Sequence, residues 1–569
     1  MAADILIKNG LIVDGTGKKA YKGNVRVEKG KVTGVGKVNG AAKRVIDADG
    51  LAVTPGFWDV HTHYDAQLLW DPIGTSSCWH GVTTVIMGNC GFTIAPVKQQ
   101  DQQFLVKTLA RVEGMSREVL ERTLPWKWES FKQYVDTLES SGIGINAITQ
   151  VGHTAIRRYV MGEESAQRAA TPAEIDKMKQ HIKDARAAGA MGFTTSRVST
   201  HWDGDGKPVG SRLATMDEYL QLVEALKGTG KAGFIELAGG PEFNKYSEEG
   251  RQMFVELAKR SGLAVCWNAV SQAMDNPTVW RESLERMTEM REKEGYPFFA
   301  LGHVQPDDFE FNLKFTNVFD RFETWQWVLL QPKEKKTELL GRPEIRAKLK
   351  AEVDKGSGYF STLPVKWERI ILVEAAKPQN KKFEMKTIVE IGKALGKHPM
   401  DAMFDMALEE DYQTQFRQLD SRNPDESVQE AILKWPHVVP GMSDAGAHLI
   451  TEVNTGFPTK VLGYWVREKQ ALSLEEAIRR LASMPAEEIG VTDRGKLLEG
   501  QAADIVLFDP KTVEPSKRKF VNDLPGGNQR LVQYSTGMHM TIVNGQVVLE
   551  EGKDTGARSG RVLRCTDYS

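Results

Sequence analysis

Cysteine is scarce in this 569-residue chain: there are four, Cys78, Cys90, Cys266 and Cys565, and none is paired at zinc-ribbon or redox spacing. That excludes a disulfide framework, so any special cysteine must be argued singly. Long apolar runs are absent as well, none approaching the ~20 residues of a membrane span. The opening Met-Ala-Ala-Asp-Ile-Leu-Ile-Lys has no basic-then-apolar leader pattern, and the expected location is the cytoplasm. An excess of one charge is also missing: 74 Lys and Arg stand against 76 Asp and Glu, interspersed along the chain, for a net charge of −2. Neither a membrane nor a nucleic-acid partner is therefore expected. No Gly-x-Gly-x-x-Gly follows a strand-like run, which argues against dinucleotide binding.

What is present is length, enough for a large catalytic domain and a smaller module. The first residues alternate with period two, from Ile5, Ile7, Leu11 and Val13 around an Asn9-Gly10 turn to Val25, Val27 and Val32. The last residues repeat that style in Ala503–Phe508, Thr541–Val543 and Val547–Leu549 around Asn544-Gly545. Both ends predict hairpins, so residues 1–54 and 491–569 are expected to build one small β domain from the two termini. Between them, eight apolar runs predict strands: Gly56–Val60, Thr83–Met87, Ile145–Ile148, Met191–Thr194, Gly233–Leu237, Leu263–Cys266, Pro297–Ala300 and Val438-Val439. They alternate with helices opened by Thr171/Glu174, Thr215/Glu218 and Ser473/Glu476 start signals. Alternating βα of this length predicts an α/β fold, a closed (β/α)8 barrel over 55–490. A stretch of about 307–435, with Trp325, Trp327 and Trp367, is too long for one connection and reads as an insertion near the barrel mouth, a lid or an oligomer contact.

The sharpest local signal is Pro55-Gly-Phe-Trp-Asp-Val-His61-Thr-His63-Tyr-Asp65. Two residues apart at the C-terminal end of a first strand, His61 and His63 can point at one ion on the active-site face of a barrel. The alternative is a chance pair in a loop. In Gly88-Asn-Cys90-Gly, the thiol sits where it can join the same ion as a soft ligand suited to zinc, or remain a small buried thiol; spacing leaves both open. Cys78, Cys266 and Cys565 read as structural. Val439-Pro-Gly-Met-Ser-Asp444-Ala-Gly-Ala-His448 places an acid after the eighth strand, able to touch a metal and move a proton, or simply to cap the next helix. His448 reads as a proton shuttle, a supporting partner or a surface residue.

Together with Val151-Gly-His153-Thr-Ala-Ile-Arg157 and Gly500-Gln-Ala-Ala-Asp504-Ile-Val, these motifs resemble the amidohydrolase superfamily, and within it the N-acyl-D-amino-acid deacylase (D-aminoacylase) branch. The resemblance covers both β-rich ends and most of the barrel. It implies a distorted (β/α)8 barrel beside a small β-sandwich built from both termini, zinc as the metal, Cys90 as an unusual thiolate ligand and Asp444 as catalytic acid/base. The chain departs from that branch where a metal-binding histidine is usual on the fifth and on the sixth strand: it reads Phe234-Ile-Glu236-Leu-Ala-Gly-Gly240 and Val265-Cys-Trp-Asn268-Ala-Val270. The retained set His61, His63, Cys90 and Asp444 suffices for one ion sooner than two, with Glu236 as an additional candidate ligand. The Lys that accompanies the sixth-strand motif is missing too, leaving Arg157, Arg158 and Arg197 as candidates for a substrate carboxylate. His153, His303 and His448 complete the expected substrate-binding set.

The expected function is metal-dependent hydrolysis of an amide (C–N) bond in a small molecule. Alternatives are a cyclic amide, imide or lactone hydrolase, or a degenerate member that only binds a ligand. Self-association is left open.

Overall fold

The computed structural model describes residues 2–239, 247–272, 277–314, 316, 318–319, 322–355 and 365–568. Gly240 of the fifth-strand motif and parts of the 307–435 stretch therefore lie outside the described residues.

Eight parallel strand positions appear among these residues, in the places the apolar runs predict: Phe57–Asp59, Val82–Met87, Asn146–Thr149 continued by Val151–Gly152, Gly192–Ser196, Phe234–Ala238, Ala264–Val270, Phe298–Gly302 and Val438–Pro440. Each pairs with its neighbour in parallel register, from Trp58 beside Thr84 round to Ala300 beside Val438. The ring closes between first and last strands through a bridge at Thr62 and Ala445, where His63 N donates to Ala445 O (2.7 Å) and Asp444 N donates to His61 O (3.2 Å). Strands covered on both faces have no need to alternate polarity, which is why Val82–Met87 and Gly192–Ser196 are buried throughout. Trp58, Ile86, Ile148, Phe234, Cys266, Phe299 and Val439 pack into one apolar cluster shared by the strands.

The barrel is distorted at its third strand. Val562 and Leu563 pair in parallel with Ala147 and Ile148, so the end of the chain fills a gap in the barrel wall. These residues fall in the range expected to belong to the β-sandwich. The rest of that expectation places strands from both termini in one nine-stranded sheet, in which Ile505–Phe508 runs antiparallel to Ala52–Pro55. Ile5, Ile7, Val25, Val27, Leu507 and Ile542 supply its own apolar core.

The long stretch after the seventh strand forms a three-stranded antiparallel sheet, Asp307–Phe311, Ile370–Glu374 and Gln415–Arg422, with the last in the centre. Helices Glu323–Leu329, Pro343–Asp354 and Pro399–Glu409 pack there around Trp325, which stacks on Phe319 at 4.2 Å. Helix Glu426–Lys434, also inside the 307–435 range, instead buries Ile432 and Leu433 in the main barrel core. No described helix is long and apolar enough to cross a membrane.

Candidate metal centre and active site

The first strand delivers His61 and His63 to the C-terminal mouth of the barrel, and the turn after the eighth strand brings Asp444 to them. Asp444 Oδ1 lies 3.3 Å from His61 Nε2 and 3.2 Å from His63 Nε2. The turn after the second strand adds Cys90, whose Sγ is 3.6 Å from His61 Nε2. Cys90 and Asp444 both adopt left-handed backbone (φ 54° each), a conformation that ordinary side chains take at a cost and that clusters at functional sites. The Asp444 turn is fixed from below: Asp59 Oδ2 accepts from Ser443 Oγ (2.6 Å) and Ser77 Oγ (2.9 Å).

The electrostatics are those of a buried acidic cluster around two imidazoles. Burial raises Asp59 to about 6 and Asp65 and Glu113 to about 7. Burial alone would lower His63, but the negative charge of Glu113, Asp444 and Asp65 outweighs it and lifts His63 to about 9. Burial works against ionised Asp444 too, yet the adjacent His61 and His63 rings and their charge hold it well below the ordinary carboxylate range. The Cys90 thiol is pushed well above its usual range by burial and by Glu236, Glu113 and Asp444. Ligand atoms of His61, His63 and Cys90 all lie within 4.8 Å of one another, and neither ring nitrogen of His63 has a well-aligned hydrogen bond. Two imidazoles, a thiol and a carboxylate at this spacing fit a divalent ion of zinc's preferences.

These groups open on a cavity of about 320 Å³ lined by Cys90, Asp444, His448, His303 and Asn268, and also by Arg111, Glu113, His201 and Glu452, which the sequence reading missed. Glu113 carries no motif. It follows helix Gln102–Val112, and Gly114 behind it (φ 58°) lets the turn approach His448, whose N–H donates to Glu113 O. His201 Nδ1 is 2.6 Å from Ser196 Oγ, and burial lowers its pKa to about 3, so the ring is neutral. His303 has Nδ1 3.1 Å from Asp307, while Nε2 makes no hydrogen bond.

Four expected site residues take other places. Glu236 is fully buried on the Nδ1 edge of His61 (3.8 Å), away from the edge that faces Asp444 and Cys90. Its oxygens accept from Cys90 N (2.8 Å) and from the Asn268 amide. His153 and Arg157 do not reach the cavity. Both are wholly buried against Glu218: His153 Nε2 donates to Glu218 Oε1 (3.0 Å), and Arg157 donates to the same carboxylate and to Arg168 O (2.8 Å). This also explains why Glu218 does not complete the expected capping box: Thr215 accepts from Glu218 N, while the Glu218 side chain serves the buried arginine. Arg197 spends its guanidinium on the carbonyls of Ser211 and Ala214 and is not among the cavity-lining residues. Arg158, also considered for a substrate carboxylate, pairs with Asp101 (2.6 Å).

A family model described as the amidohydrolase family matches residues 44–549. The chain belongs to the amidohydrolase family. A D-aminoacylase of Alcaligenes xylosoxydans xylosoxydans is 26% identical, covering 99% of this chain and 98% of its own. Among solved structures, N-acyl-D-glutamate deacylase from Bordetella bronchiseptica, complexed with zinc and a phosphonate mimic of the tetrahedral intermediate, superposes with a TM-score of 0.68 at 23% identity, covering 99% of this chain and 100% of that one. A D-aminoacylase described as having a binuclear metal centre matches at 0.67 and 23%, with the same coverage. At such identity these structures establish the fold of this amidohydrolase, and its site rests on its own geometry.

Proposed function

We propose that this amidohydrolase cleaves the amide bond of a small N-acylated amino acid, with His61, His63, Cys90 and Asp444 holding one zinc ion. The observation that carries the reading is the convergence of Asp444 on both first-strand histidines beside Cys90 at the floor of a cavity. The names of the related deacylases support the substrate class. When bound, zinc supplies Lewis acidity that polarises a carbonyl and lowers the pKa of water towards ~7. Asp444, held ionised by the histidines, accepts the proton of the attacking water and delivers it to the leaving nitrogen. Glu236 fixes the Cys90 turn by accepting from Cys90 N (2.8 Å) and places negative charge 3.8 Å from His61 Nδ1. His303 and His448 face the substrate, and Arg111, the only arginine or lysine among the described lining residues, meets its carboxylate. Four buried cysteines, none in a disulfide, support a reducing, cytoplasmic setting.

One observation favours a second reading, a ligand-binding member without turnover: Glu236 and Asn268 stand hydrogen-bonded to each other where the family resemblance expects metal histidines. The deciding experiment assays zinc-loaded protein on matched N-acyl-D- and N-acyl-L-amino acids beside cyclic amides and lactones. Turnover of an N-acyl amino acid is expected. Zinc-loaded protein that turns over only cyclic amides or lactones would replace this substrate class, and stoichiometric zinc with no turnover at all would favour the second reading.

A further inference from the structure

The two oxygens of Asp444 face two different groups. Oδ1 addresses His61 and His63, whereas Oδ2 lies 3.9 Å from His448 Nε2. Asp444, His448 and Glu452 bring ligand atoms within 4.8 Å of one another, in a group separate from that of His61, His63 and Cys90. Glu113 joins it from the side, with Oε2 3.9 Å from His448 Nε2 and 3.5 Å from His63 Nε2. Glu113 is only 3% exposed, and its Oε1 has no hydrogen-bond partner although it borders the cavity. A buried carboxylate oxygen without a donor is costly unless a cation or proton serves it.

We propose that Glu113, Asp444, His448 and Glu452 form a second divalent-cation site that shares only Asp444 with the zinc centre. This rests on the reading of Asp444 as a ligand of that centre. The site is built on the Asp444 Oδ2 face and makes no use of the fifth- and sixth-strand positions, where Glu236 and Asn268 are engaged with each other. Its donors also differ in kind. Three carboxylates and one imidazole suit a harder ion such as Mn²⁺, whereas the thiol of Cys90 suits zinc, so the two sites sort their metals by ligand softness. His448, like Asp444, is held in left-handed backbone (φ 51°), and its N–H bonds to the Glu113 carbonyl, which ties two of the four donors together through the main chain.

The test uses the full chain loaded with zinc and titrated with Mn²⁺, free Mn²⁺ being read by electron paramagnetic resonance and zinc by elemental analysis on the same samples. The wild type is expected to take up one Mn²⁺ per chain. His448→Asn and Glu452→Gln are each expected to weaken that uptake at least tenfold with zinc unchanged, while Cys90→Ser loses zinc. Failure of zinc-loaded wild type to bind Mn²⁺, or binding that survives both substitutions, overturns the second site. Absence of zinc from the wild type defeats the first centre instead, and the Mn²⁺ isotherms of the two variants still decide the second.

Discussion

Glu236 stands against the edge of the His61 ring opposite the one that faces Asp444: its Oε1 is 3.8 Å from Nδ1, whereas Asp444 Oδ1 is 3.3 Å from Nε2. A carboxylate there acts on the ring by charge, without a hydrogen bond to Nδ1, and holds the Cys90 turn through Cys90 N (2.8 Å); loss of such outer partners typically costs ~10–100-fold in metal affinity. Glu236→Gln is therefore expected to weaken zinc binding by about that factor while leaving the ion at full occupancy when zinc is in excess. Chelator competition measures it. Complete loss of the ion at saturating zinc would make Glu236 a direct ligand.

Cys90 and Cys266 offer a matched contrast. Both are buried, but Cys90 faces His61 and Cys266 packs among strand residues such as Phe234 and Phe299. Cys90→Ser is expected to lower zinc content and turnover together, and His61→Asn to do the same. Cys266→Ser should keep both in whatever fraction folds. Elemental analysis beside kcat on purified variants checks this, and full zinc in Cys90→Ser would return that thiol to a purely structural role.

The Arg157–Glu218–His153 group predicts an acid sensitivity unconnected with catalysis. Burial opposes ionised Glu218, but His153 and Arg157 outweigh it and lower its pKa from 4.5 to about 2. Its contribution to stability is thus complete above 4.5 and lost as pH falls towards 2. His153 is lowered by burial, so below its ordinary 6.5 the unfolded chain takes up a proton that the folded chain refuses, and stability falls in the same direction. Glu218→Gln, which leaves Arg157 buried and unpaired, is expected to cost about 3–5 kcal/mol and to flatten the dependence between pH 4.5 and 2. Urea midpoints across pH test both. An unchanged slope would remove Glu218 from the account.

These residues also show what could be read from sequence. The eight strands were legible because burial on both faces makes each a continuous apolar run, and His61, His63, Cys90 and Asp444 because each follows a strand end directly. Glu113 was not, since it belongs to a loop that only the three-dimensional approach to His448 makes relevant. Nor was the true use of His153 and Arg157, because their partner Glu218 lies on another helix and looked like an ordinary cap residue. Val562 and Leu563 resemble any terminal strand, and only the gap beside Ala147 gives them a place in the barrel.

The last prediction concerns Asp444 itself. Two roles compete at this position: a proton-transferring group held against His61 and His63, or a residue that only shapes the turn after the eighth strand. Asn preserves the size of the side chain and an oxygen, so Asp444→Asn keeps the turn, in which Asp444 N donates to His61 O through the main chain. What Asn lacks is the ability to take a proton from water. Positioned acid–base transfer is worth ~10²–10⁴ in rate, so kcat should fall by about that factor in folded, zinc-loaded protein, with KM changed much less. Substitution of a residue that only shaped the turn would cost stability of ~1 kcal/mol or less and leave kcat nearly intact. Zinc occupancy must be measured on the same sample, because loss of the ion would mimic loss of the base. With occupancy retained, a kcat within a few-fold of wild type would take proton transfer away from Asp444 and pass it to His448, whose Nε2 is 3.9 Å from Asp444 Oδ2 and whose side chain also borders the cavity.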